Sequence, residues 1–340
     1  MKVLFELHHP KHYYQVKNLL PFLNDYLFVI KAKDILEELL ISEGVPFKKI
    51  GGVKSGLLSK LMNSVGLIKY FNKIIKDYKP DVMLSKASPY SVFLSPFHKF
   101  KTIITPDSEV VALTNHFVSK MADSIITQHC FEKSFGKKHK KLDTFFESCY
   151  LHPDYFQPDS NLLKKYGIHP DEKYIVLRFI GWGANHDIGK TGLDDTQKIE
   201  LVEKLEKYAR VIISSEKELP DDLKSRHFTA PPNIMHHVLY YASLYIGDSQ
   251  SMATEAALLG TPAIRSNSFV GPDDMSNFKF LENQLNMLFN YKNMNDAINQ
   301  AFFLLNQKES KKEWLLKRNA YFSSIVDPNK QFYHYTNAVM

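Results

Sequence analysis

Three histidines fall within five residues near the N-terminus, in Leu7-His8-His9-Pro10-Lys11-His12-Tyr13. Imidazoles titrate near neutrality, so His8, His9 or His12 could take the proton of an attacking hydroxyl. Glu6, on the apolar run just before them, is either a satisfied core carboxylate or the partner of such a base. The stretch Thr105-Pro106-Asp107-Ser108-Glu109 ends another apolar run, and Asp107 or Ser108 could cap the helix that follows, with Glu109 favouring its dipole. A third string runs Tyr245-Ile246-Gly247-Asp248-Ser249-Gln250-Ser251-Met252-Ala253-Thr254-Glu255 and ends at Gly260-Thr261-Pro262. There a strand stops at Gly247 and hydroxyl residues open a helix whose first N–H groups can hold phosphate. Glu255, one turn in on the side of Ser251, could accept from ribose hydroxyls; a capped core helix would read much the same.

Other residues at strand ends fit the same chemistry. Arg178 stands near a strand end, and Gly181 and Gly183 permit close approach to phosphate. Ser214-Ser215-Glu216 and His236-His237 would line a base pocket or sit on the surface. The stretch 183–191 looks like a triphosphate loop but has one residue too many between its glycines and no helix after it. It reads instead as a loop over the ligand. No metal is expected. The histidine cluster lacks further zinc ligands, Asp194-Asp195 and Asp221-Asp222 are helix starts, and Asp273-Asp274 lies in a Pro-Gly turn. Helix dipole and arginine would stabilise a leaving diphosphate instead.

The elements that must carry these residues alternate from the first residue. Strands are expected at 2–7, 27–32, 47–50, 81–85, 102–106, 124–127 and 145–150. Helices are expected at 13–23, 34–43, 57–78, 90–97 and 111–121. A Pro-containing stretch, 153–170, reads as a linker between a domain of 1–152 and one of 171–325, with a tail at 326–340. The second domain alternates again: strands 174–179, 210–214, 244–247 and 263–265, helices 196–208, 234–241 and 252–259, then helices 293–305 and 311–324. Such alternation makes parallel sheets covered on both faces, with ligand sites at the carboxyl ends of the strands.

Composition narrows the class. The 340 residues are 44% apolar and 24% charged, with a net charge of +6. That is a globular chain with a mild basic excess, suited to a phosphate-bearing ligand or an anionic membrane surface and too diffuse for nucleic acid. Two cysteines, Cys130 and Cys149, make neither a disulfide framework nor a zinc site. No signal peptide precedes the first strand and no run is long enough to span a bilayer, which predicts a cytoplasmic protein. Segment 54–79 sets Leu57, Leu58, Leu61, Val65, Ile68 and Phe71 among Lys60, Lys69, Lys73 and Lys76. This is the pattern of a helix lying on a membrane, or of a core helix with a solvated lysine face.

The string 245–262 resembles the donor-binding segment of GT-B proteins. The likeness is to the lipid II N-acetylglucosaminyltransferase of peptidoglycan synthesis and to the UDP-N-acetylglucosamine 2-epimerases. More closely, and nearly end to end, the chain is similar to a GT-B-like family of archaeal and bacterial proteins of unassigned function. The motifs are His9-Pro10-Lys11-His12, Lys79-Pro80-Asp81-Val82, Asp154-Tyr155-Phe156, Arg178-Phe179-Ile180-Gly181-Trp182 and Gly271-Pro272-Asp273-Asp274. The resemblance implies an α/β GT-B fold, two doubly wound Rossmann-like domains facing each other across a cleft. It implies Ser251 (with Ser249 beside it) and Arg178 at a diphosphate, Glu255 at a ribose, and His12 at the histidine of the transferase's glycine-rich first loop, whose glycines are absent here. In the epimerases a catalytic acid lies where Asp107 and Glu109 stand. The expected function is a metal-independent, nucleotide-sugar-dependent glycosyltransferase of surface glycan or glycolipid synthesis. It would use no cofactor beyond the donor and would act on a glycan or lipid-linked acceptor. The alternatives are a 2-epimerase or a non-catalytic sugar-nucleotide binder.

Overall fold

The computed structural model describes residues 1–31, 34–50, 57–109, 112–169, 171–181 and 194–340. The chain divides into two compact units, Met1–Tyr150 with Ile325–Met340, and Leu151–Ser324.

The first unit runs β1 (Lys2–Leu7), α1 (Pro10–Lys17), β2 (Asp25–Lys31), α2 (Asp34–Ser42), β3 (Phe47–Ile50), α3 (Leu57–Tyr78), β4 (Val82–Ser85), α4 (Pro89–His98), β5 (Lys101–Ile104), α5 (Ala112–Met121), β6 (Ser124–Thr127), β7 (His139–Lys141) and α6 (Ser148–Leu151). Its seven strands are parallel in the order β3-β2-β1-β4-β5-β6-β7. The order reverses between β1 and β4, so the loops leaving those strands diverge there. Strands such as β4 are apolar on both faces because helices cover both. On one face Leu4, Val29 and Met83 pack against Phe71, Ile74 and Ile75 of α3 and Leu94 of α4. Each such side chain contributes about 1.5–3 kcal/mol by leaving water.

That packing bears on the membrane expectation for 54–79. In the described part of α3, Leu67 and Ile68 pack on the core and Phe71 is fully buried, while Val65 stays 52% exposed. Residues 51–56, and the side chains of 57–64, lie outside what is described.

The second unit runs α7 (Ser160–Lys164), β8 (Tyr174–Phe179), α8 (Asp195–Glu206), β9 (Arg210–Ser215), α9 (Pro232–Tyr241), β10 (Leu244–Gly247), α10 (Gln250–Leu258), β11 (Ala263–Ser266), α11 (Ser276–Asn283), β12 (Leu288–Tyr291), α12 (Met294–Asn306) and α13 (Ser310–Ser323). Its five parallel strands lie β12-β11-β10-β8-β9, and the reversal falls between β8 and β10. Helix α10 stops at Gly260, whose φ of +76° suits glycine, and an added Cβ would lie 2.9 Å from the Leu315 side chain of α13.

Three expectations change. Residues 145–150 form no strand; Phe145 and Phe146 are buried ahead of the helical turn α6, and the last strand is the short β7. The stretch read as a linker belongs to the second unit and contains α7. The stretch read as a tail is a helix, α14 (Pro328–Asn337), capped by Asp327 and packed on the first unit. Phe332 is fully buried against Phe146, Asn329 Nδ2 donates to Cys149 O (2.9 Å), and Gln331 exchanges two hydrogen bonds with Asp143. One buried aromatic and a few amides leave too faint a periodicity to read from sequence.

Candidate functional site

In the first unit the groups at the carboxyl ends of β1, β4 and β5 gather at the switch point. Near the end of β1 lies Glu6, 3% exposed between Val29 of β2 and Ser85 of β4. The chain then turns through His8 and His9 into α1, with Pro10 opening the helix. The three histidines do three different things. His9 Nδ1 caps the helix by accepting from Lys11 N (3.1 Å). His8 Nε2 lies 3.1 Å from Glu6 Oε1. His12 Nδ1 accepts from the backbone N–H of His8 (3.3 Å). Partial burial, and then the Lys86 ammonium, hold His12 well below its ordinary titration range, against the nearby Asp107 carboxylate. His12 is therefore neutral near pH 7, with its proton on Nε2, the nitrogen left to donate.

Two lysines and two carboxylates lie beyond. Lys11 Nζ is 2.7 Å from Glu147 Oε1 and 3.9 Å from Asp107 Oδ2. Lys86 Nζ is 3.2 Å from the same Asp107 oxygen, donates to Gln15 Oε1 (2.7 Å), and stands over the Phe146 ring. Burial alone would raise the Asp107 carboxyl, but Lys86 and Lys11 outweigh it and hold the group well below the carboxylate range. A carboxylate so stabilised is a weak base. The Glu109 carboxylate accepts from Glu132 N (3.2 Å) and its carbonyl from Lys133 Nζ (2.6 Å). Lys86 follows a buried strand at the switch point and was legible as a position, though not as a role. Glu147 and Gln15 carried no signal of their own.

In the second unit one row of register partners crosses all five strands: Ser214, Arg178, Gly247, Arg265 and Asn290. Partners in a parallel register share a face. The two arginines lean away from each other. Arg178 Nη1 donates to Ser214 Oγ (2.8 Å), and Arg265 Nε donates to Asn290 Oδ1 (2.8 Å). Gly247 stays bare between them. A Cβ there would come within 2.7 Å of Arg178 O and 2.9 Å of the Tyr245 hydroxyl, so glycine is required. Burial, and then Asp248, raise the Tyr245 phenol well above its ordinary value, which keeps it neutral between the two cations.

The remaining expected residues divide between structure and surface. Ser249 is the N-cap of α10, its Oγ accepting from Met252 N (3.4 Å). The amides of Gln250 and Ser251 precede the first intrahelical bond, Ala253 N to Ser249 O, and are the helix's open donors. Glu255, one turn in and 8% exposed, meets His236 of α9, with Oε1 3.5 Å from Nε2. Phe156 packs on both His236 and His237, and His237 Nδ1 accepts from Asp159 N. His237 thus ties down the chain entering the unit. Arg178 does not stand open: Glu216 Oε1 lies 2.5 Å from its Nη2, and the other Glu216 oxygen accepts from Gly181 N (2.9 Å). An anion at Arg178 has to displace Glu216, which is half exposed. Trp182 and the loop 183–191 lie outside the described residues.

Sequence reading overlooked Arg265. It is fully buried, stacked on Phe278 with its guanidinium 3.5 Å from the ring centre, paired with Asp274, and its Nη1 lacks a partner among the described residues. Its position inside a short buried strand was the available signal. Asp274, read as part of a Pro-Gly turn, is the counter-charge that anchors that turn. Among the described residues no group of three or more His, Cys, Asp or Glu side chains is arranged to hold a metal ion, and no helix is long and apolar enough to cross a membrane.

Comparison with known proteins gives three findings. The model of the family described as "Protein of unknown function (DUF354)" matches residues 8–334. A curated UDP-N-acetylglucosamine–N-acetylmuramyl-(pentapeptide) pyrophosphoryl-undecaprenol N-acetylglucosamine transferase from Listeria welshimeri is 27% identical over 118 residues. That match covers 32% of this chain and 32% of the relative, so the chain spans about a third of the length of the curated relatives it matches. Among solved structures, UDP-GlcNAc 2-epimerase from Neisseria meningitidis bound to UDP-GlcNAc superposes with a TM-score of 0.64 at 12% identity, covering 100% of this chain and 98% of that one. The spinosyn rhamnosyltransferase SpnG complexed with spinosyn aglycone gives 0.64 at 11% identity, covering 99% and 100%. The fold is GT-B, shared by glycosyltransferases and sugar-nucleotide epimerases.

Proposed function

The chain belongs to the DUF354 family, and from that premise we propose that it is a metal-independent glycosyltransferase using a nucleotide-sugar donor in surface glycan or glycolipid synthesis. The observation that carries the reading is the second unit's switch point. An open helix N-terminus at Gln250 and Ser251, a buried Glu255 one turn in, and Arg178 on the neighbouring strand meet there. Backbone amides and a guanidinium suit a diphosphate, and a carboxylate at that depth suits ribose hydroxyls. Both charges on the leaving diphosphate are then met by protein donors. The first unit supplies the base from its histidine loop.

A thermal-shift screen against UDP-, GDP-, CMP- and dTDP-sugars tests the reading, since a ligand that binds only the native state raises the melting temperature. One nucleotide class should stabilise the protein and be turned over in EDTA. If none does, the donor site is refuted; binding without turnover leaves a sugar-nucleotide binder. A 2-epimerase rests on Asp107 or Glu109. The lysine-held Asp107, a weak base, favours transfer, and the appearance of a 2-epimer among the products would reverse that preference.

The acceptor side of the reading is a lipid-linked glycan met at an anionic bilayer. The helical layer containing α3 exposes Phe93 and Phe97 on α4 and Phe117 and Met121 on α5, between 42% and 72%. Exposed Lys69, Lys73 and Lys76 on α3 and Lys120 on α5 flank them. Apolar side chains ringed by lysines match an anionic headgroup layer. Vesicles containing anionic lipid should float the protein at low salt, and Phe93→Ser with Phe97→Ser should abolish flotation. Absence of flotation by the unaltered chain would end this part of the reading.

A further inference from the structure

We propose that Glu6 and His8 form the proton-accepting dyad of this protein, with His8 as the base, Glu6 as its positioning residue and His12 as a hydrogen-bond donor. The inference rests on the transferase reading for its reaction and on geometry alone for its residues. Glu6 interrupts the apolar run of a strand that lies between two others in a seven-stranded sheet. A carboxylate 3% exposed there is costly unless something is donated to it. One oxygen, Oε1, lies 3.1 Å from His8 Nε2, and the other, Oε2, has no partner among the described residues. No local helix or turn calls for a carboxylate at this place, so its structural role is confined to His8.

The pairing determines which nitrogen of His8 can react. With the Glu6 carboxylate as acceptor, Nε2 carries the proton and Nδ1 keeps its lone pair. The His8 side chain is 43% exposed, so a lone pair not facing Glu6 can reach a ligand from solvent. This is the arrangement of an oriented base: one ring nitrogen held by a buried carboxylate, the other presented to the substrate. His12 reinforces it from the other side, its Nδ1 accepting the His8 backbone N–H and its ring standing edge-on to the His8 ring at 6.5 Å. That bond uses the His12 nitrogen a base would need, and the remaining N–H can only donate. His9 is occupied as a helix cap. Of the three histidines, only His8 combines an orienting carboxylate with an available lone pair.

The step balances without further reagents. The acceptor O–H breaks as its proton passes to His8 Nδ1, and the freed oxygen bonds to the anomeric carbon of the donor sugar. The bond from that carbon to the phosphate oxygen breaks, and its electron pair leaves on the nucleoside diphosphate. The imidazolium formed on His8 is held against Glu6 until it releases the proton to solvent.

Two measurements test the dyad. UDP release from UDP-N-acetylglucosamine, with water as acceptor, reads the reaction, and the Kd for UDP reads donor binding. His8→Ala should slow release by roughly 10²–10⁴-fold, and Glu6→Gln, which keeps the shape and an acceptor oxygen but loses the charge, should slow it less. His12→Ala should do less than His8→Ala, and all three should keep the wild-type Kd for UDP. Ring nitrogen-15 NMR of the unaltered protein, independent of activity, should show neutral His8 with its proton on Nε2. Glu6→Ala should lose that preference and Glu6→Gln retain it. Wild-type release rates in His8→Ala and Glu6→Gln, or a wild-type His8 protonated on Nδ1, would overturn the dyad. Failure of the unaltered protein to bind UDP moves the rate and Kd measurements to whichever nucleotide of the thermal-shift screen it does bind. Failure with every class would refute the donor site, and the NMR result would still decide the dyad.

Discussion

At the first unit's switch point charges satisfy one another; at the second unit's, donors lean apart and leave a gap. Lys11, Lys86, Asp107 and Glu147 form a network of two cations and two anions linked through the Asp107 carboxylate, with Gln15 accepting from Lys86. Across the second sheet Arg178 and Arg265 turn outward from Gly247, and the helix beside it begins with open amides. The first arrangement sets protonation states without external anions. In the second, buried Asp274 neutralises Arg265, whereas the counter-ion of Arg178 is Glu216, half exposed and displaceable by an anion. The difference shows that a shared topology fixes where a site lies while the residues just past the strands decide what it is for.

The largest expected effect breaks the second arrangement at its buried arm. Arg265→Ala strands Asp274, 5% exposed on its side chain, without its counter-charge. The loss should be roughly 3–5 kcal/mol of stability, seen as a lowered urea midpoint for the second unit. An unchanged midpoint would mean that the Asp274 turn is not held through Arg265.

Glu255→Ala is smaller and falls on binding. Removing hydrogen bonds to a charged group should weaken the nucleotide by roughly 1.5–3 kcal/mol, measured by calorimetry on a folded variant. Equal affinity would separate Glu255 from the ligand and leave it as a partner of His236 alone.

Ser249 and Ser251 sharpen the contrast within α10. Loss of the Ser249 cap should cost about 1 kcal/mol of stability. Ser251→Ala should leave stability nearly unchanged and weaken nucleotide binding. The reverse pattern, with Ser249 the more important for binding, would move the phosphate by half a turn.

The mildest test concerns pH in the first unit. His12 is held neutral when folded, whereas the unfolded chain takes up a proton there below about pH 6.5. Its contribution is complete above that value and is lost as pH falls from there towards the depressed folded value. Asp107, also depressed, contributes its part above the ordinary carboxylate range and loses it only in stronger acid. Acidification from pH 7.5 to 5.5 should therefore lower the first unit's melting temperature, and His12→Gln should flatten that dependence while Asp107→Asn leaves it. An identical slope in His12→Gln would refute the neutral, donor role of His12.

Much of this was legible in the amino-acid sequence because it depends on local periodicity. β1, β8 and β10 begin and end where apolar runs begin and end, and α3 matches its amphipathic stretch residue for residue. Strand ends give site positions, so the histidine loop, Arg178, Ser251 and Glu255 could be named before any contact was known. Tertiary structure decided the rest. Edge strands β7 and β12 and helix α14 bury too little apolar surface to leave a pattern, and their places follow from what they pack against. The separate jobs of His8, His9 and His12 depend on which nitrogen meets which neighbour, at distances no spacing encodes. Arg265 joins the site because β11 lies beside β10, with Gly247 between it and Arg178. Composition and periodicity determine what a segment becomes, but pairings between residues far apart in sequence exist only once the sheet has fixed their register.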